Sequence, residues 1–360
     1  MTKLGELRAR IDALDEQILE LLERRAQTVE EVAEAKRQAG LSTFYDPERE
    51  RLVLERVTQK GAGRFPRDAI RSVFREIMSG CLSLEAPITI AFLGPEGTFS
   101  HMAARHLFGL TARYREATTV NGVFDAVRRG DAQSGVVPVE NSTDGSVTST
   151  LDALGECELL IRQELVLDVS YCLLSRDGTM SSIERVYGSA QALEHCRLWL
   201  AKHVGTAQIV QTASTSAAAH EAQADERAAA IGNKLAAEIF ALAIAGERIQ
   251  DRPEHATRFV VLATQDAPRT GVDKTTLAFS LPDAGARGAL KRVLEVFDQA
   301  EVNLSRIESR PRSGKPWEYL FWVDVEGHRL DPSVATLIGQ LRARCEVVKV
   351  LGSYPRHEPR

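Results

Sequence analysis

Three cations along the first 38 residues carry the first chemical signal of this 360-residue chain. Leu4, Leu7, Ile11, Leu14, Ile18 and Leu21 recur in alternating steps of three and four, the stripe of an amphipathic helix that needs a partner. Continuing the step puts Arg25 where an apolar residue belongs, before Val32 and Ala35 resume it, and Arg8 and Lys36 flank the same seam. Guanidinium and ammonium groups are costly beside a core unless an anion meets them there, although Arg8 and Lys36 could instead snorkel at a rim. At 1.5 Å per residue, Arg25 and Lys36 lie roughly 16 Å apart and can converge on one small anion. Arg8 is about 42 Å from Lys36 along the same rod, so it is either unrelated to that site or reaches it from an antiparallel second copy.

A second group of candidates favours neutral hydrogen bonding. Gly94-Pro95-Glu96-Gly97-Thr98-Phe99-Ser100-His101 follows an apolar strand and opens a helix, a geometry suited to anions but matching neither a Walker loop nor GxGxxG. Glu140-Asn141-Ser142-Thr143 ends another strand, and two strand ends rich in Thr, Ser and Asn suggest a carboxylate-binding crevice. Thr257-Arg258-Phe259 begins a further strand and is expected to bring a hydroxyl and a guanidinium to the same crevice.

The elements around these groups fall into three blocks. Residues 1–86 read as three helices, with Asp46-Pro47 starting the second and Pro66 the third. Residues 88–265 read as α/β, with strands at Ile88–Leu93, Ser134–Val139, Leu165–Leu174, Val186–Gly188 and Phe259–Ala263. Strands before and after a central block imply two lobes and a cleft. After a linker at Thr264–Asp273, residues 274–355 follow the order βαββαβ, with helices at Gly285–Ala300 and Pro332–Arg344. That order is the ferredoxin-like split unit.

Bulk composition excludes several classes. The chain is 44% hydrophobic and 26% charged with net charge −5, which offers no electrostatic case for nucleic acid or an anionic membrane. No apolar run approaches a membrane span, and the polar N-terminus does not resemble a signal peptide. Five scattered Cys without CxxC, and eight His without HExxH, predict a reducing cytoplasm and neither a metal nor another cofactor.

Taken together these motifs resemble the bifunctional chorismate mutase/prephenate dehydratase family. Arg8, Arg25, Lys36, Asp46, Arg49, Glu50 and Glu85 match an all-helical chorismate mutase. Gly94–His101, Glu140-Asn141-Ser142, Ser214-Thr215-Ser216 and Thr257-Arg258-Phe259 match prephenate dehydratase, and Glu308-Ser309-Arg310-Pro311 matches the phenylalanine-binding signature of its ACT domain. The resemblance implies that Arg25 and the Arg8 of a second subunit hold chorismate. Lys36 would donate to its ether oxygen, Glu50 with Asp46 would hold the ring hydroxyl, and Arg49 and Cys81 would line the site. Glu85 also faces the ether oxygen, which only accepts hydrogen bonds, so Glu85 must be protonated to act.

For prephenate, the resemblance assigns Thr257 to departure of the ring hydroxyl and Arg258 to a carboxylate. Ser100, Asn141, Ser142, Thr143, Gln191, Ser214, Thr215, Ser216 and Phe259 complete the binding set. Gly188-Ser189-Ala190-Gln191 departs from the family's Ser-His-Pro-Gln, and Gly232-Asn233-Lys234 replaces a small acidic stretch. Phenylalanine, as feedback effector, would sit among Gly288, Ala289, Leu290, Asn303, Leu304, Glu308, Ser309, Arg310 and Pro311, with the chain a homodimer or tetramer. The alternatives are an amino-acid sensor without catalysis, and a mutase whose dehydratase is altered near Gly188-Ser189.

Overall fold

The computed structural model describes residues 2–40, 47–61, 63–85, 88–281, 286–312, 315 and 318–357. The chain divides into two compact bodies, residues 1–89 with 105–113, and residues 90–104 with 114–360.

The first body is helical. Its α1 (Lys3–Gln38) is one unbroken helix of 36 residues, started by the Thr2 side chain, which accepts from the Gly5 N–H. The helices α2 (Pro47–Lys60) and α3 (Arg67–Glu85) follow, and α3 packs on both others. Leu4, Leu7, Ile11, Leu14, Ile18 and Leu21 remain 45–59% exposed, so the chain itself does not cover the stripe. Burial is instead concentrated near the other end of α1, at Ala33, and on α3 at Ser79 and Cys81. The expected N-cap Asp46 lies outside the described residues.

The second body begins with a mixed sheet. Its strands β1 (Thr89–Leu93), β2 (Arg113–Ala117), β3 (Ser134–Asn141), β4 (Gly145–Ser146) and β5 (Leu160–Asp168) precede the crossing to another lobe. There β6 (Cys172–Ser175), β7 (Arg185–Ser189), β8 (Gln208–Thr212), β9 (Ala228–Gly232) and β10 (Ala243–Glu247) form a second sheet in the order β10-β6-β9-β7-β8. Finally β11 (Ala256–Ala263) returns to the first sheet, which runs β2-β1-β3-β11-β5 with β4 on β3. The expected two lobes are present.

One expected strand is divided. Leu165–Leu174 is apolar enough to read as a single run, but β5 ends at Asp168 and β6 starts at Cys172 in the other sheet. Buried Val169 and Tyr171 carry the crossing without a Gly or Pro to mark it.

Helices α4 (Phe99–Phe108), α5 (Val120–Arg128), α6 (Thr148–Glu156), α7 (Ala190–His195), α8 (Arg197–His203), α9 (Thr215–Ala224) and α10 (Lys234–Ile239) connect these strands. Ser189, Ser214 and Asn233 cap α7, α9 and α10 by accepting from Ala192, Ala217 and Ala236. These caps satisfy N–H groups that would otherwise lack partners at the helix starts.

The last module contains β12 (Asp273–Ser280), α11 (Ala289–Gln299), β13 (Leu304–Pro311), β14 (Tyr319–Glu326), α12 (Pro332–Arg344) and β15 (Val348–Pro355). Its sheet order β13-β14-β12-β15 is the ferredoxin-like arrangement expected from the βαββαβ pattern. The helix expected from Gly285 starts at Ala289; residues 282–285 lie outside the described residues. One sheet face packs Leu277, Phe279 and Phe321 against Val293, Phe297, Leu337 and Leu341. The opposite face puts Ala278, Trp322, Leu351 and Tyr354 into one core with Leu151, Leu154, Leu159 and Ile161 of the α/β region. Gly352, at φ +146°, permits the close approach: a Cβ there would fall 2.1 Å from the Ile161 carbonyl oxygen.

A buried ionic cluster crosses this seam. Arg258 donates through Nε to Glu164 at 2.7 Å, through Nη1 to Asp324 at 2.5 Å and through Nη2 to the Tyr354 hydroxyl at 2.8 Å. Lys274 reaches both Glu164 oxygens at 2.9 Å, and Thr276 donates to the other Asp324 oxygen at 2.6 Å. Burial alone would push the Arg258 pKa down, but Tyr354, Asp324 and Glu164 hold it above the usual guanidinium value. Asp324→Ala removes one carboxylate from this buried guanidinium. It is expected to cost about 3–5 kcal/mol, read as a lower denaturation midpoint in calorimetry of the full chain.

Candidate active sites

In the helical body, Lys36 Nζ and Glu85 Oε2 form an ion pair at 2.9 Å, both largely buried, joining the ends of α1 and α3. The Arg25 Nη1 is buried yet has no hydrogen-bond partner among the described residues. An unpaired buried donor on a cation is a strong local demand for an anion, such as a carboxylate. Arg8 is exposed, and the continuous α1 keeps it about 42 Å along the axis from Lys36. Cys81 is buried and Glu50 half-buried, whereas Arg49 is exposed and lines a groove with Leu52, Glu55, Arg56 and Gln59. Asp46 lies outside the described residues.

The α/β region contains a cavity of about 540 Å³ between its sheets. Thr98, Ser100 and Asn141 line it from the first lobe, with Thr257 and Phe259 on β11. Ser189, Gln191, Thr212, Ser214 and Thr215 line it from the second lobe. Such a surface, rich in hydroxyls and amides, can bind a polar organic acid through neutral donors. Side-chain-to-backbone hydrogen bonds tie the lobes together near its edge: Asn233 Nδ2 donates to the Gly97 carbonyl at 2.9 Å, and Ser216 Oγ donates to the Glu96 carbonyl. The Asn233 position, one of the departures from the family pattern, is therefore a cap and an interlobe tie.

The hydrogen bonding of Thr257 is directional. Asn141 Nδ2 donates to Thr257 Oγ1 at 2.9 Å, while Asn141 Oδ1 accepts from the Thr143 and Asp144 N–H groups at 2.9 and 3.2 Å. The Asn141 amide orientation follows from those two backbone donors. Thr257 accepts from Asn141, leaving the hydroxyl proton available to the cavity.

Several expected binding residues serve other roles. Arg258 does not line the cavity, because strand alternation turns it to the opposite face from Thr257 and Phe259. Ser142 Oγ accepts from the Ala256 N–H, and Thr143 supplies the backbone donor described above. Ser216 spends its hydroxyl on Glu96. Tyr171 and Thr212 at the cavity, and His255 beside it, lie outside the expected set, while Thr98 and Ser189 belong to the motifs named above. His255 sits two residues before Thr257, a spacing that shares a strand face and could have drawn attention to it.

In the last module, Glu308 accepts from Arg306 at 3.1 Å and from the Ser146 hydroxyl. Arg310 makes two hydrogen bonds to Asp152, each 3.0 Å long. Thus Glu308 and Arg310 lie against the α/β region in the same chain. Gly288, at φ +75°, immediately precedes α11, Ala289 is buried, and Leu290 packs on the module's core. The carbonyl of Asn303 accepts from Glu326, and β13, which contains Leu304, Glu308, Ser309, Arg310 and Pro311, is an edge strand.

A helical cation site, a two-lobed cavity and a ferredoxin-like module define a two-centre enzyme with an appended regulatory fold. Family models assign residues 7–86 to chorismate mutase type II, 90–267 to prephenate dehydratase and 275–343 to the ACT domain. A bifunctional chorismate mutase/prephenate dehydratase from Aquifex aeolicus is 41% identical over 99% of each chain. Another from Stutzerimonas stutzeri is 40% identical over 98% of each chain. The solved prephenate dehydratase from Arthrobacter aurescens, in complex with L-Phe, superposes with TM-score 0.69 at 37% identity, covering 75% of this chain and 90% of that one. The chain belongs to the bifunctional chorismate mutase/prephenate dehydratase family and carries both catalytic domains. Among the described residues, no helix is long and apolar enough to cross a membrane.

Proposed function

We propose that this chain rearranges chorismate to prephenate in its helical body and converts prephenate to phenylpyruvate in the two-lobed cavity. The observation that carries the dehydratase assignment is the Asn141–Thr257 hydrogen bond, which leaves the threonine proton for the departing ring hydroxyl. Loss of that hydroxyl and of CO2 creates an aromatic ring, so a modest donor suffices. Asn141, Ser100, Gln191, Ser214 and Thr215 orient the polar groups of the substrate, and Phe259 supplies an apolar wall. Cytoplasmic location fits this chemistry.

The mutase reaction is unimolecular, so its site must hold a compact conformer and stabilise charge as the C–O bond breaks. Arg25 binds one carboxylate, Lys36 donates to the ether oxygen, and Glu50 holds the ring hydroxyl with Asp46. Arg49 and Cys81 border the substrate. Arg8 of the partner subunit completes the site in an antiparallel homodimer that also covers the open α1 stripe; two such dimers would form the tetramer. Phenylalanine acts as feedback effector along Gly288–Leu290 and Asn303–Pro311, consistent with the L-Phe complex of the Arthrobacter aurescens relative.

A single assay tests the sequence of reactions: the full chain is incubated with chorismate, and prephenate and phenylpyruvate are followed with and without phenylalanine. Thr257→Ala is expected to stop phenylpyruvate formation while mutase turnover continues; wild-type dehydratase in that variant removes the role of Thr257. Absence of turnover at both centres supports a sensor instead.

Because an ether oxygen only accepts, a permanent donor at position 85 should serve it at least as well as a carboxylate that accepts from Lys36. Glu85→Gln should therefore keep mutase kcat/KM at neutral pH within a few-fold of wild type, whereas Glu85→Ala should lower it by about ten-fold or more; equal loss in both variants counts against the assignment. For the shared site, Arg8→Ala and Arg25→Ala chains should each be inactive as mutases. Co-expression should restore on the order of a quarter of wild-type activity, since half the dimers then contain one complete site. No recovery would exclude the cross-subunit arrangement.

A further inference from the structure

Behind Thr257 lies a group of titratable side chains that the proposed reaction does not use. His255 is 4% exposed, and its Nε2 lies 3.0 Å from Asn141 Nδ2 and 3.1 Å from Asn141 Oδ1. His195, from α7, meets its ring edge-on with centroids 4.4 Å apart, and Tyr171 lies 5.9 Å away. Asp144, in the turn after β3, lies 3.5 Å from His195 Nε2 and also accepts from Gln191. Asn141, His195, Tyr171 and Asp144 are thus the polar and titratable groups facing His255 from the surrounding elements.

The other partners of Asn141 favour an acceptor role for His255 Nε2. Asn141 Oδ1 already accepts two backbone N–H groups, which fill its two lone pairs. One Asn141 N–H goes to Thr257 Oγ1, and the other points to His255 Nε2. Neutral imidazole with Nε2 unprotonated can accept this bond and complete the set. Protonated His255 would direct its Nε2–H at Asn141 Oδ1, which the Thr143 and Asp144 N–H groups already occupy, and would leave the second Asn141 N–H without an acceptor. Burial first, and His195 second, push the His255 pKa below the ordinary imidazole value, consistent with a neutral ring at neutral pH.

We propose that His255 is a positioning residue of the dehydratase centre: its neutral Nε2 anchors Asn141, directs the second amide N–H onto Thr257, and sets the acid limit of turnover. This inference rests on the assignment of Thr257 above and adds the group that keeps its hydrogen bond oriented. As pH falls through the depressed His255 pKa, Asn141 is released and dehydratase activity falls. Above that value the arrangement is intact.

The test measures phenylpyruvate formation from prephenate by the full chain between pH 4.5 and 8, with the enzyme-free conversion subtracted. Wild-type kcat/KM should fall by about ten-fold per pH unit once His255 is protonated. His255→Ala should lower kcat at pH 7.5 by roughly ten-fold while changing KM less, because Asn141 loses an acceptor. His255→Asn supplies a carbonyl acceptor that does not titrate, and should recover most of that activity without the same acid limb. Wild-type acid dependence in His255→Asn would overturn the proposal. NMR titration of the wild-type His255 ring provides an independent check: its midpoint must coincide with the kinetic limb, and a mismatch overturns the proposal even if variants fold poorly. Mutase turnover by the same chains controls for intact protein. A Thr257→Ala chain that keeps dehydratase activity instead removes the underlying Thr257 assignment, whatever the His255 variants show.

Discussion

The buried guanidinium of Arg258 is the constraint around which the second body is organised. Its strand, β11, lies between β3 and β5, and successive residues face opposite sides of the sheet. Thr257 and Phe259 consequently line the cavity while Arg258 meets Glu164, Asp324 and Tyr354. A register slip of one residue would expose the charge to the cavity and turn the hydroxyl into the ionic cluster. The carboxylates that satisfy the guanidinium therefore also hold the reactive face of β11 in register. A buried ion pair is weak evidence for net stability, but it strongly penalises arrangements that leave one of its members alone.

The two centres solve different electrostatic problems. The helical site holds an Arg25 donor unpaired among the described residues and a Lys36–Glu85 pair, groups suited to a doubly charged substrate whose polarity changes during a unimolecular rearrangement. The cavity near Thr257 is lined mainly by hydroxyls, amides and apolar groups. Under the proposed role of Thr257, the substrate's own gain of aromaticity supplies the drive and the protein orients one donor. The Arg258 charge is turned away from the cavity, onto the other face of β11.

Much of the architecture was legible because its signals are local. The three-and-four spacing of α1 gave its length, and the succession of strand and helix runs after the linker gave the βαββαβ order. Arg25 stood out because it interrupts an apolar stripe. The errors arose where a residue's role depends on distant partners. Thr257 and Arg258 were expected at one crevice, whereas alternation puts them on opposite faces, and the Arg258 partners Glu164 and Asp324 come from separate strands, 94 and 66 residues away in sequence. Ser142, Thr143 and Ser216 had the right chemistry for binding, yet backbone groups use them. His195 and His255 share no short motif; only the fold makes them neighbours.

The common core beneath the last module limits how this architecture can be recombined. Trp322, Leu351 and Tyr354 are not merely adjacent to the dehydratase lobe; they complete a core with Leu151, Leu154, Leu159 and Ile161. Cutting at the linker before β12 would leave that lobe with an apolar scar, a surface prone to association. A foreign sensor module would need matching side chains on its sheet and a glycine where β15 crosses Ile161. Exchange of effector specificity is therefore more accessible by substitutions within the resident fold than by transplantation of a complete domain.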